Sequence, residues 1–86
     1  MQQREVSTMT VRTLDNYPGG PFWFRKGDRV AWLRDDRSLD PERRGVIANG
    51  VCEYQEGRTS YKERYVVQLE DGPPVWAGPF DIVKVV

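Results

Sequence analysis

Histidine, cysteine and carboxylate side chains carry most enzymatic and metal chemistry, and this sequence offers little of it. The chain has no histidine, which removes the commonest general base and the commonest metal ligand. Its single cysteine, Cys52, lies in an apolar run with no histidine to activate it, so we expect a buried small hydrophobe. One cysteine is also too few for the usual Cys/His zinc sites. The sequence therefore predicts no catalytic residue, no metal and no cofactor.

Two further patterns resemble parts of ligand sites. Asp35 and Asp36 are adjacent; on a strand they would point to opposite faces, and in a loop we expect them to be solvated. Gly19-Gly20 stands between prolines and leads into no helix, so it does not match a phosphate-binding loop. Both observations favour a chain that is not an enzyme.

Aromatic rings are the more informative chemical signal, at 12% of the residues. Trp32, Tyr54 and Tyr61, together with Trp76, are candidates for a cage around a cation, because ring faces attract positive charge. The same rings are candidates for stacking on nucleic-acid bases. Packing in the core is the plainer alternative for aromatic residues on strands.

Three consecutive rings, Phe22-Trp23-Phe24, follow a Pro-Gly-Gly-Pro run. Either they cover an open end of the core, or they form an exposed patch that docks a partner. Large rings exceed what so small a core is expected to accommodate: Phe22, Trp23, Trp32, Trp76 and Phe80. We therefore expect some of them at the surface.

Arginines are concentrated in the charged segment 34–44, where they alternate with acidic residues. A solvated, self-neutralising loop is one interpretation, with a single helical turn at 38–43. The alternative is that Arg37, Arg43 and Arg44 reach outward to a phosphate or carboxylate.

Alternation of apolar and polar residues predicts an all-β domain. Val30 and Trp32 fall on one face of the first full strand, after a turn in which Gly27 can adopt the positive φ that a tight strand entry often needs. Further strands are expected at 45–54, with a bulge or bend at Gly50, and at 61–69, 75–77 and 82–86. A single helical turn is expected at 78–81, before the last strand.

Eighty-six residues make one small domain with a polar leader. We expect residues 1–21 to be an N-terminal extension, partly ordered or forming an edge strand at 7–14. Residues 22–86 are expected to form the folded domain.

Several short motifs resemble those of the SH3-like barrels, particularly the Tudor and KOW types. They are Phe24 with Gly27-Asp28-Arg29-Val30, then Gly45-Val46-Ile47, Tyr65-Val66-Val67, Asp71-Gly72 and Ile82-Val83-Lys84-Val85. The resemblance covers residues 24–86 and implies a closed, five-stranded SH3-like β-barrel with a one-turn helix before the last strand. This fold serves many unrelated functions.

A more distant similarity connects the chain with the plasmid-encoded type II dihydrofolate reductases, which share the Gly-Asp-Arg-Val motif. Their folate and nicotinamide site uses a Val-Gln-Ile-Tyr run. The matching stretch here is Val75-Trp76-Ala77-Gly78, which lacks the Gln and the Tyr. Reductase activity is therefore not expected.

Charge and cysteine content limit the classes of partner and the cellular compartment that we expect. Thirteen basic residues balance thirteen acidic ones, which argues against binding nucleic acid through bulk electrostatics. A lone cysteine fits a reducing compartment. No signal-peptide pattern and no apolar run of about 20 residues is visible. We expect a cytoplasmic protein that does not enter a membrane.

The sequence thus favours a non-enzymatic protein-interaction module, a small accessory or regulatory subunit that docks on a larger protein or complex. A homo-oligomer belongs to the same class. The expected partner-binding residues are Phe22, Trp23, Arg37, Arg43, Arg44 and Trp76. The alternative is a nucleic-acid-binding barrel of the KOW or Tudor kind, acting in transcription, translation or DNA transactions.

Overall fold

The computed structural model describes residues 9–16, 22–55 and 61–85, which form six β-strands and no helix. The strands are β1 (Met9–Thr13), β2 (Arg29–Leu33), β3 (Leu39–Gln55), β4 (Tyr61–Leu69), β5 (Pro74–Ala77) and β6 (Ile82–Lys84). All pairings are antiparallel, in the order β5-β4-β3-β2-β6, and β1 pairs with β3. The predicted all-β class is confirmed. Gly19-Gly20 lies outside the described residues.

Strand β3 is the central element, because it pairs along both of its edges. One edge pairs with β4, from Gly45 opposite Leu69 to Tyr54 opposite Tyr61. The other edge pairs with β2 near its start and with β1 near its end, where Thr13 lies opposite Val51. Strand β3 therefore connects the two ends of the sheet.

The segment 34–44 is only partly a loop, so the predicted helical turn at 38–43 is wrong. A tight turn at 34–38 closes with two backbone hydrogen bonds, and Arg37 adopts a φ of 68° within it. Strand β3 then begins at Leu39, opposite Leu33. Its pairing with β2 is irregular until Arg44, so Pro41, which has no N–H group, falls where regular pairing is interrupted.

A bulge interrupts β3 close to the predicted position. The register with β4 shifts between Ile47 and Asn49, just before the Gly50 that was expected to mark it. Gly50 has a different role: a Cβ atom there would lie 3.0 Å from the Tyr65 ring and 3.1 Å from Leu14. A side chain at this position would push against the tyrosine ring, which packs directly on the β3 backbone.

The core lies against one face of the curled sheet. Its buried residues come from five strands and from the turns that precede β2: Leu14, Phe24, Val30, Trp32, Ile47, Tyr65, Val67, Ala77 and Ile82. Burying each aliphatic side chain of this size stabilises the fold by about 1.5–3 kcal/mol. The predicted inward face of β2, carrying Val30 and Trp32, is confirmed.

Three details of the predicted barrel are wrong: the number of strands, the closure of the sheet and the helical turn. The sheet has six strands and is not closed, since the short edge strands β5 and β6 pair only with β4 and β2. The expected helical turn at 78–81 is instead a tight turn, in which the Asp81 amide donates to the Gly78 carbonyl over 3.2 Å. Asp81 cannot continue a helix because its own carbonyl accepts from Leu33 and extends the β2–β6 pairing.

Candidate functional site

Trp23 and Phe80 form an exposed aromatic pair on two neighbouring turns. Their side chains are 56% and 66% exposed, and their ring centroids lie 4.9 Å apart in an edge-to-face arrangement. Trp23 precedes β2, whereas Phe80 follows β5, so the fold brings together rings that are distant in sequence. We call Trp23, Pro79 and Phe80 the aromatic ridge.

Trp23 faces solvent because its two neighbours face inward. Phe24 is buried, and its ring centroid lies 5.1 Å from that of Tyr65. The half-buried Phe22 ring lies 6.2 Å from the same Tyr65 ring. The expected covering of the core is thus confirmed for Phe22 and Phe24, whereas docking of a partner by this triplet stays a prediction. Phe22 and Phe24 cover the core, and Trp23 is presented at the surface.

Backbone hydrogen bonds hold Trp23 in this position. Its amide donates to the Tyr65 hydroxyl over 2.8 Å and to the Glu63 carboxylate over 3.3 Å. The Phe24 amide also donates to the Tyr65 hydroxyl, over 3.3 Å. The hydroxyl in turn donates to Glu63. Burial, and then the hydrogen bond to Glu63, raise the pKa of Tyr65, so the hydroxyl keeps its proton.

The turn that carries Phe80 is held in a similar way. The Gly78 amide donates to the Asp81 carboxylate over 3.2 Å, and the Leu33 amide donates to the Asp81 carbonyl over 2.9 Å. Phe80 therefore projects from a fixed turn that is attached to β2. Both members of the exposed aromatic pair have little freedom to lose when a partner binds.

Two grooves flank the aromatic ridge. The first groove, of about 400 Å³, lies between the ridge and residues 62–64 of β4. The second groove, of about 290 Å³, lies between the ridge, Arg37 and β6. Trp23, Pro79 and Phe80 line both grooves.

Basic side chains border both grooves. Lys62 and Arg64 line the first, and Arg37 and Lys84 line the second. The Lys84 ammonium lies 3.5 Å from the Asp28 carboxylate. Of the predicted partner-binding residues, the structure thus brings Trp23 and Arg37 together.

The other predicted arginines lie elsewhere. The Arg43 guanidinium stacks 4.6 Å above the Trp32 ring. Trp32 itself is only 7% exposed, so its ring is part of the core. Arg44 and Arg29 line a separate hollow of about 170 Å³, which also contains Glu70.

The predicted cage residues are not brought together by the backbone. Trp32, which pairs with Ile82 of β6, lies near the start of β3. Tyr54, which pairs with Tyr61 of β4, lies at the far end of β3. About 30 Å of extended strand separates Arg44, beside Trp32, from Tyr54. The side chains of Tyr54 and Tyr61 lie outside the described residues.

Trp76 forms a second exposed aromatic site, on the outer face of β5. Its side chain is 57% exposed, and the Arg64 guanidinium stacks 4.8 Å above its ring. The Arg64 guanidinium also forms a 2.9 Å ion pair with Glu53. Arg64 therefore lies between Trp76 and the first groove.

Sequence reasoning counted Phe80 among the surplus rings but did not assign it to the partner surface. A helical turn was expected there, and that expectation did not place Phe80 beside Trp23. The signal that could have indicated a turn was the Gly78-Pro79 pair before Phe80, because proline is favoured at the second position of a tight turn.

No group of three or more His, Cys, Asp or Glu side chains that could hold a metal ion occurs in residues 9–16, 22–55 and 61–85. Cys52 is fully buried, as expected, and burial raises the pKa of its thiol. No helix in the part of the chain that the structure describes is long and apolar enough to cross a membrane.

Comparison of the chain with protein-family models, with curated proteins and with solved structures gives no match.

Proposed function

We propose that the chain is a non-enzymatic protein-interaction module, a small accessory or regulatory subunit that docks on a larger protein through the aromatic ridge. One observation carries this proposal. Trp23 and Phe80 are more than half exposed, yet both lie on turns fixed by hydrogen bonds to the core and the sheet.

The energetics support a docking role. Large exposed rings with adjacent grooves are typical of protein contact sites, and tryptophan and arginine are the residues that most often anchor them. Truncation of such an anchor typically costs at least about 2 kcal/mol of binding free energy, or roughly 30-fold in affinity. Arg37, at the margin of the second groove, adds a charged contact.

The finer fold assignment is part of the same proposal. We interpret β2–β6 as the five strands of an SH3-like unit, with β1 added on the free edge of β3. The tight turn before β6 and the positive φ of Gly27, 92°, support this interpretation. Such units serve as binding modules in many contexts, so the functional case depends on the ridge itself.

Nucleic-acid binding is the second candidate function, and one observation favours it. Arg29 and Arg44 line a common hollow, and neither forms an ion pair with another described residue. A salt titration with mixed single-stranded and double-stranded oligonucleotides tests it. Micromolar affinity at physiological salt, falling steeply as salt increases, would favour this function over protein docking.

Site-specific photocrosslinking tests the docking function. A photoreactive phenylalanine analogue replaces Phe80 in one form of the chain, and the exposed Val11 on β1 in a matched control. In the source cell we expect a discrete protein adduct from position 80, which Trp23→Ala in the same chain removes. The same adducts from positions 80 and 11, or none from position 80, would contradict the proposal.

A further inference from the structure

One stretch of β4, beside the aromatic ridge, has an edge that no strand among the described residues covers, and we call it the open edge. Strand β5 covers β4 only from Gln68 to Tyr65, where Ala77 is its last paired residue. The chain then turns away at Gly78, while β4 continues for residues 61–64. No other described strand pairs with β4 along this edge.

The direction of the backbone groups follows from the pairing pattern. In an antiparallel sheet, each residue of a strand directs its N–H and C=O groups to the same side of that strand. The next residue directs both groups to the opposite side. The Glu70 amide donates to the Arg44 carbonyl, and the Leu14 amide donates to the Gly50 carbonyl. With the register of β3 and β4, these two bonds show that the even-numbered residues of β4 direct their backbone groups toward β3. The N–H and C=O groups of Glu63 therefore point to the open edge.

This edge forms one wall of the first groove, and the aromatic ridge forms the other. The Glu63 carboxylate is engaged by the Tyr65 hydroxyl and the Trp23 amide. Lys62 and Arg64 flank Glu63 in sequence, and their exposed side chains lie on the outer face of the sheet.

We infer that an extended segment of a partner protein adds to β4 as a new edge strand at residues 62–64. Its central residue pairs with Glu63 and directs an apolar side chain into the first groove, against Trp23 and Phe80. The two flanking residues are acidic, because cross-strand neighbours share a face and here face Lys62 and Arg64. This inference rests on the proposed docking function and specifies the chemistry of its ligand.

Two features favour an extended acidic peptide over other occupants. A strand satisfies the open backbone groups of Glu63 and continues the existing β4–β5 pairing, which a nucleic acid cannot do. The groups lining the first groove include two cations, of which Arg64 is also paired with Glu53, and the one carboxylate among them is already hydrogen-bonded. A peptide with alternating acidic and apolar residues matches both the ladder and the charge.

Selection from a phage-displayed library of random nine-residue peptides, carried out on the full chain, tests this inference. We expect enrichment of acidic–apolar–acidic sequences. In the selected peptides, methylation of the backbone nitrogen that donates to Glu63 should weaken binding more than tenfold. Methylation of the neighbouring nitrogens should change it less than threefold.

A pair of variants tests the edge directly. Glu63→Pro and Glu63→Ala both remove the carboxylate, but only proline removes the outward N–H group, and prolines are tolerated on open sheet edges. We expect Glu63→Pro to bind the selected peptides more than tenfold more weakly than Glu63→Ala. Circular dichroism and thermal unfolding of both variants verify the fold, and the methylated peptides provide the test should Glu63→Pro fail to fold.

The outcomes separate this inference from the docking function. Peptides that lose binding in Trp23→Ala but tolerate backbone methylation overturn strand addition and leave the ridge as a docking site. Failure to enrich any peptide, or tighter binding of mixed single-stranded DNA than of the selected peptides, also overturns strand addition. The photocrosslinking from position 80 then decides the docking function independently.

Discussion

Tyr65 connects the core to the aromatic ridge through a single hydroxyl group. It is fully buried, accepts hydrogen bonds from the Trp23 and Phe24 amides, and donates one to Glu63. A phenylalanine at this position keeps the ring but leaves two amides and a carboxylate without this partner. The position of the exposed ridge therefore depends on a buried residue that lines neither groove.

We expect Tyr65→Phe to destabilise the chain by about 1–3 kcal/mol, the usual cost of leaving buried polar groups unsatisfied. Urea unfolding measures this change, and hydrogen exchange of the Trp23 and Phe24 amides should become faster in the variant. Unchanged exchange at both amides would contradict the proposed role of the hydroxyl.

The same hydroxyl predicts a dependence on alkaline pH. Burial raises the pKa of Tyr65 above that of an unfolded tyrosine, so the native state holds its proton more tightly. The resulting contribution is fully present below about pH 10 and declines as the pH rises above that value. We expect the stability difference between wild type and Tyr65→Phe to shrink between pH 9 and pH 11, by roughly 1 kcal/mol. A difference that stays constant over this range would show that the proton is not held in this way.

Strands β3 and β4 approach each other so closely that one glycine is required at Gly45. A Cβ atom there would lie 2.4 Å from the Gln68 carbonyl oxygen and 2.6 Å from Val67, so the backbone itself would have to move. At Gly27 a Cβ atom meets nothing within 4 Å, and only the φ of 92° opposes a side chain.

We therefore expect Gly45→Ala to cost more than about 3 kcal/mol, or to prevent folding, since overpacking against backbone is poorly relieved. Gly27→Ala should cost only about 1–2 kcal/mol, the penalty of a left-handed conformation. Thermal and urea unfolding of the two variants provide the comparison. Equal destabilisation would mean that β3 and β4 move apart at little cost, and would contradict the requirement for glycine at position 45.

Strand β1 is attached to β3 through alternate residues. Leu14 donates to Gly50, so Arg12, opposite Cys52, also bonds to β3, while Val11 directs its backbone groups outward. Arg12→Pro should therefore cost about 2 kcal/mol more than Arg12→Ala, through the lost ladder bond and disturbed pairing. Val11→Pro should change stability by less than about 1 kcal/mol. Similar losses from both prolines would contradict this register.

The strands were predictable because apolar residues at every second position, such as Val30 and Trp32 or Tyr65 and Val67, are the ones that the sheet buries. The turn at 78–81 was not, because its conformation depends on the Asp81 carbonyl accepting from Leu33, a contact between distant residues. The open sheet was missed for a related reason. Closure depends on whether β5 and β6 pair with each other, and neither pattern contains that information.

The candidate site shows the same limit. Trp23 and Arg37 could be chosen as surface residues from their type and their neighbours in sequence. Nothing near Trp23 in sequence indicates that it meets Phe80. Arg43 and Trp32 were both selected for binding, and the fold instead stacks one on the other at the edge of the core. Residue type indicates which side chains can bind, and only the topology determines which of them meet.

At the scale of the whole molecule, stability and the proposed binding depend on different aromatic residues. Trp32 is buried in the core, whereas Trp23 and Phe80 are exposed and pack edge to face against each other. The double variant Trp23→Ala/Phe80→Ala should therefore unfold within about 1 kcal/mol of the wild type, as expected for surface substitutions. It should nevertheless lose the protein adduct, which a photoreactive residue placed at Arg37 would report.

Trp32→Ala is the matched control, and we expect it to cost about 3–5 kcal/mol, the range for removing a large buried ring. Thermal unfolding of the two forms gives the comparison. Loss of stability in the double variant equal to that in Trp32→Ala would mean that the ridge completes the core. Its exposure would then reflect the packing of a small domain, and the case for a docking surface would be lost.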